Sequence, residues 1–131
     1  MYSIGQIAKK SGINVDTIRY YEKEGLLEKP QRKDSGYRQY NDDVIERLSF
    51  IYQAKSLGFT LTQINELLSL EVKKGTTSKD IKNIAQSKLK DIEEKIKMLK
   101  KMQKILKELV TQCSGKGPVE QCPILNAIKN K

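Results

Sequence analysis

The chain contains no histidine and no tryptophan, and only two cysteines, two phenylalanines and three prolines. Without histidine it lacks the commonest general base and metal ligand at neutral pH, and a hydrolase of the Ser-His-Asp type is excluded. Two cysteines can neither form a disulfide framework nor supply the four thiolates that usually hold an iron–sulfur cluster. No apolar run approaches the roughly 18 residues needed to span a bilayer. Residues 1–10 lack the apolar stretch of a signal peptide. A soluble, cytoplasmic protein with no membrane role is expected. No nucleophile–base pair is visible, so no enzyme is expected either.

What is present is 131 residues, 37% apolar and 31% charged, enough for one small folded domain plus an extension. The formal charge of +9 is unevenly placed. Residues 1–72 carry ten basic and ten acidic side chains; residues 73–131 carry fifteen basic and six acidic. The excess therefore sits in a Lys-rich helical stretch, where a solvated helix face explains it without a ligand. Any argument for nucleic acid must rest on local geometry.

Spacing predicts a mainly α chain. Ile4, Ile7 and Ala8 form one helical face behind Ser3 as N-cap, and Ser11-Gly12 stops the helix. A second helix opens at Asn14 or Val15, runs through Ile18 and Tyr21 to about Glu24, and is closed by Gly25. Two short helices with a Gly-containing turn have the helix-turn-helix form. Leu26 to Tyr40 then reads as a small hairpin, or wing, with turn residues Asp34-Ser35-Gly36 and a short strand carrying Tyr37 and Gln39. Asn41 caps a helix from Asp42 to about Leu57, with Val44, Ile45, Leu48, Ile51, Tyr52 and Leu57 as its expected apolar stripe. Thr60 or Leu61 begins another helix containing Ile64, Leu67 and Leu68. After the polar linker at 73–77, one helix is expected from Ser78 to about Thr111. Leu89, Ile92, Ile96, Leu99, Gln103, Leu106 and Val110 step along it by 3 and 4 as a coiled-coil seam. The chain offers no apolar partner helix for that seam, so a homodimer is expected.

Three stretches, Ile4-Gly5-Gln6-Ile7-Ala8, Thr17-Ile18-Arg19-Tyr20-Tyr21-Glu22-Lys23-Glu24-Gly25-Leu26-Leu27 and Gly36-Tyr37-Arg38-Gln39-Tyr40, resemble the MerR family of bacterial transcription regulators. The match continues through Ala54-Lys55-Ser56-Leu57-Gly58-Phe59-Thr60-Leu61 into the long helix and the cysteine loop. The resemblance implies a winged helix-turn-helix DNA-binding domain (residues 1–72), a dimerisation helix paired as an antiparallel coiled coil (78–112), and a C-terminal metal-binding loop with a short helix (113–131). It further implies a regulator that sits on a pseudo-palindromic operator in an over-long promoter spacer. There it distorts the DNA to activate transcription by RNA polymerase when an effector binds.

The residues themselves are compatible with this. Asp16, Thr17, Arg19, Tyr20 and Lys23 share one broad face of the second helix, suited to base edges and phosphates in a major groove. The resemblance places DNA contacts on Thr17, Arg19, Tyr20, Tyr37 and Arg38, and Lys55 can reach the flanking backbone. Read without it, both tyrosines of the Tyr20-Tyr21 pair are open as core aromatics, and Arg38 is open as a partner of Asp42 or Asp43.

Cys113 and Cys122 stand at the two ends of one loop, with eight residues between them. By themselves they are equally an incidental thiol pair, a disulfide or a soft-metal site. The resemblance implies a metal-responsive site. It also implies that the residue opening the partner's long helix, a Cys in divalent-ion sensors and a Ser in monovalent-ion sensors, tunes selectivity. Here that residue is Ser78. Cu(I), Ag(I) or Au(I) is the expected effector. Hg(II) is the first alternative, because the eight-residue loop is that of the mercury branch. A Zn, Cd or Pb sensor and a thiol-redox regulator using Cys113 and Cys122 are the others.

Overall fold

The computed structural model describes residues 1–28, 30–32 and 38–130. Its elements run α1 (Ile4–Ser11), α2 (Val15–Lys23), β1 (Gln31–Arg32), β2 (Arg38–Gln39), α3 (Asp42–Ser56), α4 (Leu61–Val72), α5 (Ser78–Gln112), a 3-10 turn (Val119–Gln121) and α6 (Pro123–Lys129). The chain forms two compact units, Met1–Ile84 and Ala85–Lys131.

In the first unit, side-chain caps fix each helix start. Ser3 and Gln6 form a reciprocal capping box on α1, as do Thr60 and Gln63 on α4. Asn14 caps α2 by accepting from Thr17 N at 2.8 Å, and Asn41 caps α3 by accepting from Asp43 N at 3.1 Å. Gly12 ends α1 with φ +73°, in the left-handed region where a Cβ would strain the backbone.

α1 packs on α2 and α3, and α3 on α4. The core is Ile7, Ile18, Tyr21, Leu26, Leu27, Tyr40, Leu48, Ile51, Ala54, Ile64 and Leu68. Each fully buried Ile or Leu in this cluster contributes about 1.5–3 kcal/mol relative to exposure. The stripe expected on α3 needs correction at two positions. Tyr52 and Leu57 are each 64% exposed, and Ala54 is buried instead. The buried residues Leu48, Ile51 and Ala54 step by three. Tyr52 lies a quarter-turn away, and Leu57 falls beyond the last helical residue, as C-cap.

β1 and β2 pair antiparallel, Gln31 with Gln39 and Arg32 with Arg38. Beyond β2, an isolated bridge joins Tyr40 to Tyr2, with Tyr40 N donating to Tyr2 O at 2.8 Å. The wing exists as expected, while its turn at Asp34-Ser35-Gly36 lies outside the described residues.

α5 is a single 35-residue helix. Its start is held by Thr77 N, which donates to Asp80 Oδ2 at 2.9 Å. On the second unit's part of α5, Leu89, Ile96, Leu99, Leu106 and Val110 are all exposed in the single chain. That is the state expected of a seam whose partner is a second copy. In α6, Ile124 and Leu125 are half-buried and Ile128 is exposed.

Candidate DNA-reading face and effector loop

α2 presents its two faces as the sequence suggested. Ile18 and Tyr21 are buried in the core, while Asp16, Arg19, Tyr20 and Lys23 are exposed and Thr17 is half-exposed. Tyr20 keeps 49% of its surface, so it is not a core aromatic. Its ring lies 6.3 Å from that of Tyr21, tilted by 49°. The adjacent tyrosines therefore divide the work: one anchors the helix and the other is free to meet a ligand.

Lys55, in the last turn of α3, is exposed, and its Nζ lies 5.9 Å from the centre of the Tyr21 ring. The contact draws the ammonium towards α2, although at this distance the cation–π attraction is weak. Arg47 Nη1 donates to Leu26 O at 3.3 Å, tying α3 to the segment that leaves α2. Tyr37 lies outside the described residues, and of Arg38 the backbone is described, in β2.

Two residues absent from the expected set connect these parts. The Tyr40 hydroxyl donates to Glu22 Oε1, joining the end of the wing to the last turn of α2. Tyr40 is 1% exposed. No periodicity or motif spacing announces an 18-residue contact of this kind. The only local signal was a tyrosine following the polar Gln39, where alternation along the strand turns a side chain inward.

At the far end of α5, Cys113 N donates to Leu109 O at 3.1 Å and so closes the helix, while Cys122 is the N-cap residue of α6. Both cysteines are free thiols and half-buried. The Cys122 thiol is held below its ordinary range. The backbone N–H of Leu125 contributes most, with help from the N–H of Ile124 and from a hydrogen bond with the Cys113 thiol; partial burial opposes them. Cys122 makes no regular capping hydrogen bond, so the two N–H groups act on the sulfur electrostatically rather than as a well-aligned cap.

The donor set suits a soft ion that accepts two sulfurs. Among the described residues no group of three or more His, Cys, Asp or Glu could hold a metal. Ser78, the first residue of α5, is exposed. Among the described residues no helix is long and apolar enough to cross a membrane.

Comparison with known proteins identifies the family of this fold. The family model described as MerR HTH family regulatory protein matches residues 2–71, and one described as MerR, DNA binding matches residues 45–109. The mercuric resistance operon regulatory protein of Bacillus cereus is 36% identical over 130 residues, covering 99% of this chain and 98% of that protein. The HTH-type transcriptional regulator ZntR of Escherichia coli (strain K12) is 39% identical over 131 residues, covering 98% and 93%. The crystal structure of the transcription regulator PbrR691 from Ralstonia metallidurans CH34 in complex with lead(II) superposes with a TM-score of 0.87. It is 30% identical and covers 98% of this chain and 99% of that chain. The chain belongs to the MerR family of helix-turn-helix regulatory proteins, which are not enzymes and bind promoter DNA as homodimers.

Proposed function

We propose that this chain is a cytoplasmic, metal-responsive transcription activator controlling genes of metal efflux or detoxification. Residues 1–72 form its reading head, 78–112 its dimerisation helix, and 113–131 its effector loop. Thr17, Arg19, Tyr20 and Lys23 on α2 meet the major groove, and Tyr37 and Arg38 meet DNA from the wing. Lys55 meets the phosphate backbone beside α2. Two reading heads in one dimer engage a pseudo-palindromic operator, whose distortion realigns an over-long promoter spacer for RNA polymerase.

The observation that carries the effector reading is a pair of half-buried free thiols, Cys113 at the end of α5 and Cys122 at the start of α6, the latter held below its ordinary pKa range by the N–H groups of Leu125 and Ile124, with Ser78 in place of a further sulfur. Two thiolates complete a linear shell for a monovalent soft ion, so the effector is Cu(I), Ag(I) or Au(I). When bound, such an ion supplies a crosslink between the end of α5 and the start of α6. The chain's own part is to hold two thiolates at those ends. A bias of a few kcal/mol between two arrangements of the loop is enough to switch a dimer.

Hg(II) is the second reading. It also accepts two sulfurs, the relative in Bacillus cereus is named for mercuric resistance, and the eight-residue loop fits that branch. The names of the other relatives, with zinc and lead, keep a divalent response under test.

The test is operator-dependent transcription in vitro with reduced protein and Cu(I), Ag(I), Hg(II), Zn(II), Cd(II) or Pb(II). Activation by Cu(I) or Ag(I), lost in both Cys113→Ser and Cys122→Ser while operator binding persists, is the expected result. Activation by Zn(II) or Pb(II) alone would overturn the monovalent reading.

A further inference from the structure

A wing of two two-residue strands is too short to hold its own position, since an isolated hairpin is marginal even at greater length. What it presents to DNA depends on how its ends are tied. On the entering side the chain is pinned by Leu26 and Leu27, both buried, and by the Arg47 bond to Leu26 O. On the leaving side everything converges on Tyr40. Its ring sits in the core, its backbone N and O both pair with Tyr2, and its hydroxyl donates to Glu22 Oε1.

Glu22 is placed so that this last bond matters for reading. It lies three residues after Arg19 and two after Tyr20, within the final turn of α2, next to Lys23. Tyr40 directly follows β2, the strand that carries Arg38. The bond therefore runs from the reading helix to the wing without passing through the rest of the core. The ring alone would keep Tyr40 buried, but an apolar contact is non-directional. A hydrogen bond to one carboxylate oxygen fixes a direction and a distance.

We propose that the Tyr40–Glu22 hydrogen bond is a positioning device that locks the wing to the reading helix at a fixed spacing, so that the two engage DNA as one rigid reader. Tyr40 and Glu22 touch no base themselves; they act through Arg38 and through α2. The proposal rests on the DNA-reading assignment above. The reason such a lock pays is preorganisation: a reader whose two parts are already spaced loses less freedom on binding than one whose wing must be ordered against the groove.

The test uses the full-length dimer and a duplex selected by the wild-type chain from a random pool, with a scrambled duplex as control. Tyr40→Phe keeps the ring in the core and deletes the hydroxyl that donates to Glu22. Glu22→Gln keeps an acceptor for the hydroxyl, and Glu22→Ala removes it. Affinities are measured across a salt series, beside thermal unfolding followed by circular dichroism.

The expected result is that Tyr40→Phe and Glu22→Ala weaken binding to the selected duplex by on the order of tenfold, as for loss of one hydrogen bond to a charged group. Their salt slopes should flatten by about 0.9 for each phosphate contact the wing gives up. Glu22→Gln should retain most of the wild-type affinity and slope. The Tyr40→Phe/Glu22→Ala double variant should lose clearly less than the sum of the two single losses, because the bond they share is removed only once.

A role confined to stability would lower the unfolding temperature and leave the slope of the folded protein unchanged, and that outcome would overturn the proposal. So would losses in the double variant that equal the sum of the two single ones, which would show that the two residues act independently. A wild-type chain that selects no duplex from the pool would overturn the DNA-reading assignment itself, which separates the two failures.

Discussion

Replacing Ile96 and Leu99 on α5 by Asp tests the dimer most directly. In the single chain these side chains keep 46% and 61% of their surface, so roughly half of what burial can supply is still to be gained from a partner. Full burial of Ile or Leu is worth about 1.5–3 kcal/mol, which leaves about 1–1.5 kcal/mol for each of the two. A two-fold dimer buries each residue twice, so about 4–6 kcal/mol of association rests on the pair. That is a weakening of about a thousandfold or more in the dimer dissociation constant. The Asp carboxylates raise the loss further, because a seam of Leu and Ile gives them no partner and association would desolvate them. Sedimentation velocity at micromolar concentration should show the wild type as a dimer and the double variant as a monomer, with helical content retained in the first unit. Operator binding should fail along with the dimer, since the two half-sites are read together. A double variant that still sediments as a dimer would show that the seam does not run through Ile96 and Leu99.

Arg19→Ala, at an exposed position on α2, is expected to cost about 1–3 kcal/mol on the operator and to relax specificity there, as loss of a base-edge contact does. Equal loss on operator and random DNA would instead place Arg19 on phosphate. Lys55→Ala should weaken binding to all sequences alike and reduce the salt slope by about one contact in a filter-binding series. Ser78→Cys, by adding a sulfur at the start of the long helix, should raise the transcriptional response to a divalent ion relative to Ag(I); an unchanged ratio would remove Ser78 from selectivity. Tyr2 has its phenol pKa raised above 10 by a hydrogen bond to Asp42, by the charge of that carboxylate, and by slight burial. Its contribution to stability should be fully present below pH 10 and be lost as pH rises through the folded-state value, and Tyr2→Phe should abolish that alkaline dependence in thermal melts followed across pH 9–12.

Most of the first unit was legible in the sequence because its signals are local. Ser3, Asn14, Asn41 and Thr60 cap the helices they precede by bonding to backbone within three residues, so a short window holds the whole interaction. The alternation of Ile18 and Tyr21 with Arg19 and Tyr20 separates core from surface on α2 for the same reason: a helix repeats every 3.6 residues. The seam on α5 was visible because a 3–4 spacing sustained over many turns has no other use on a helix this long. Two cysteines at the ends of one loop were visible too, since each is fixed to a helix end.

Only the tertiary structure decided the rest. Periodicity assigned Tyr52 and Leu57 to the buried stripe of α3, but which residues on the margin of a helix face are covered depends on what packs there, and both stay 64% exposed. The lowering of the Cys122 thiol by the N–H groups of α6 follows from how the loop closes rather than from its length. The bond from Tyr40 to Glu22 spans 18 residues and joins a strand to a helix. Sequence spacing carries no information about such a contact, because closing a loop of that length fixes neither end's direction; the packing of Tyr40 among the core side chains does.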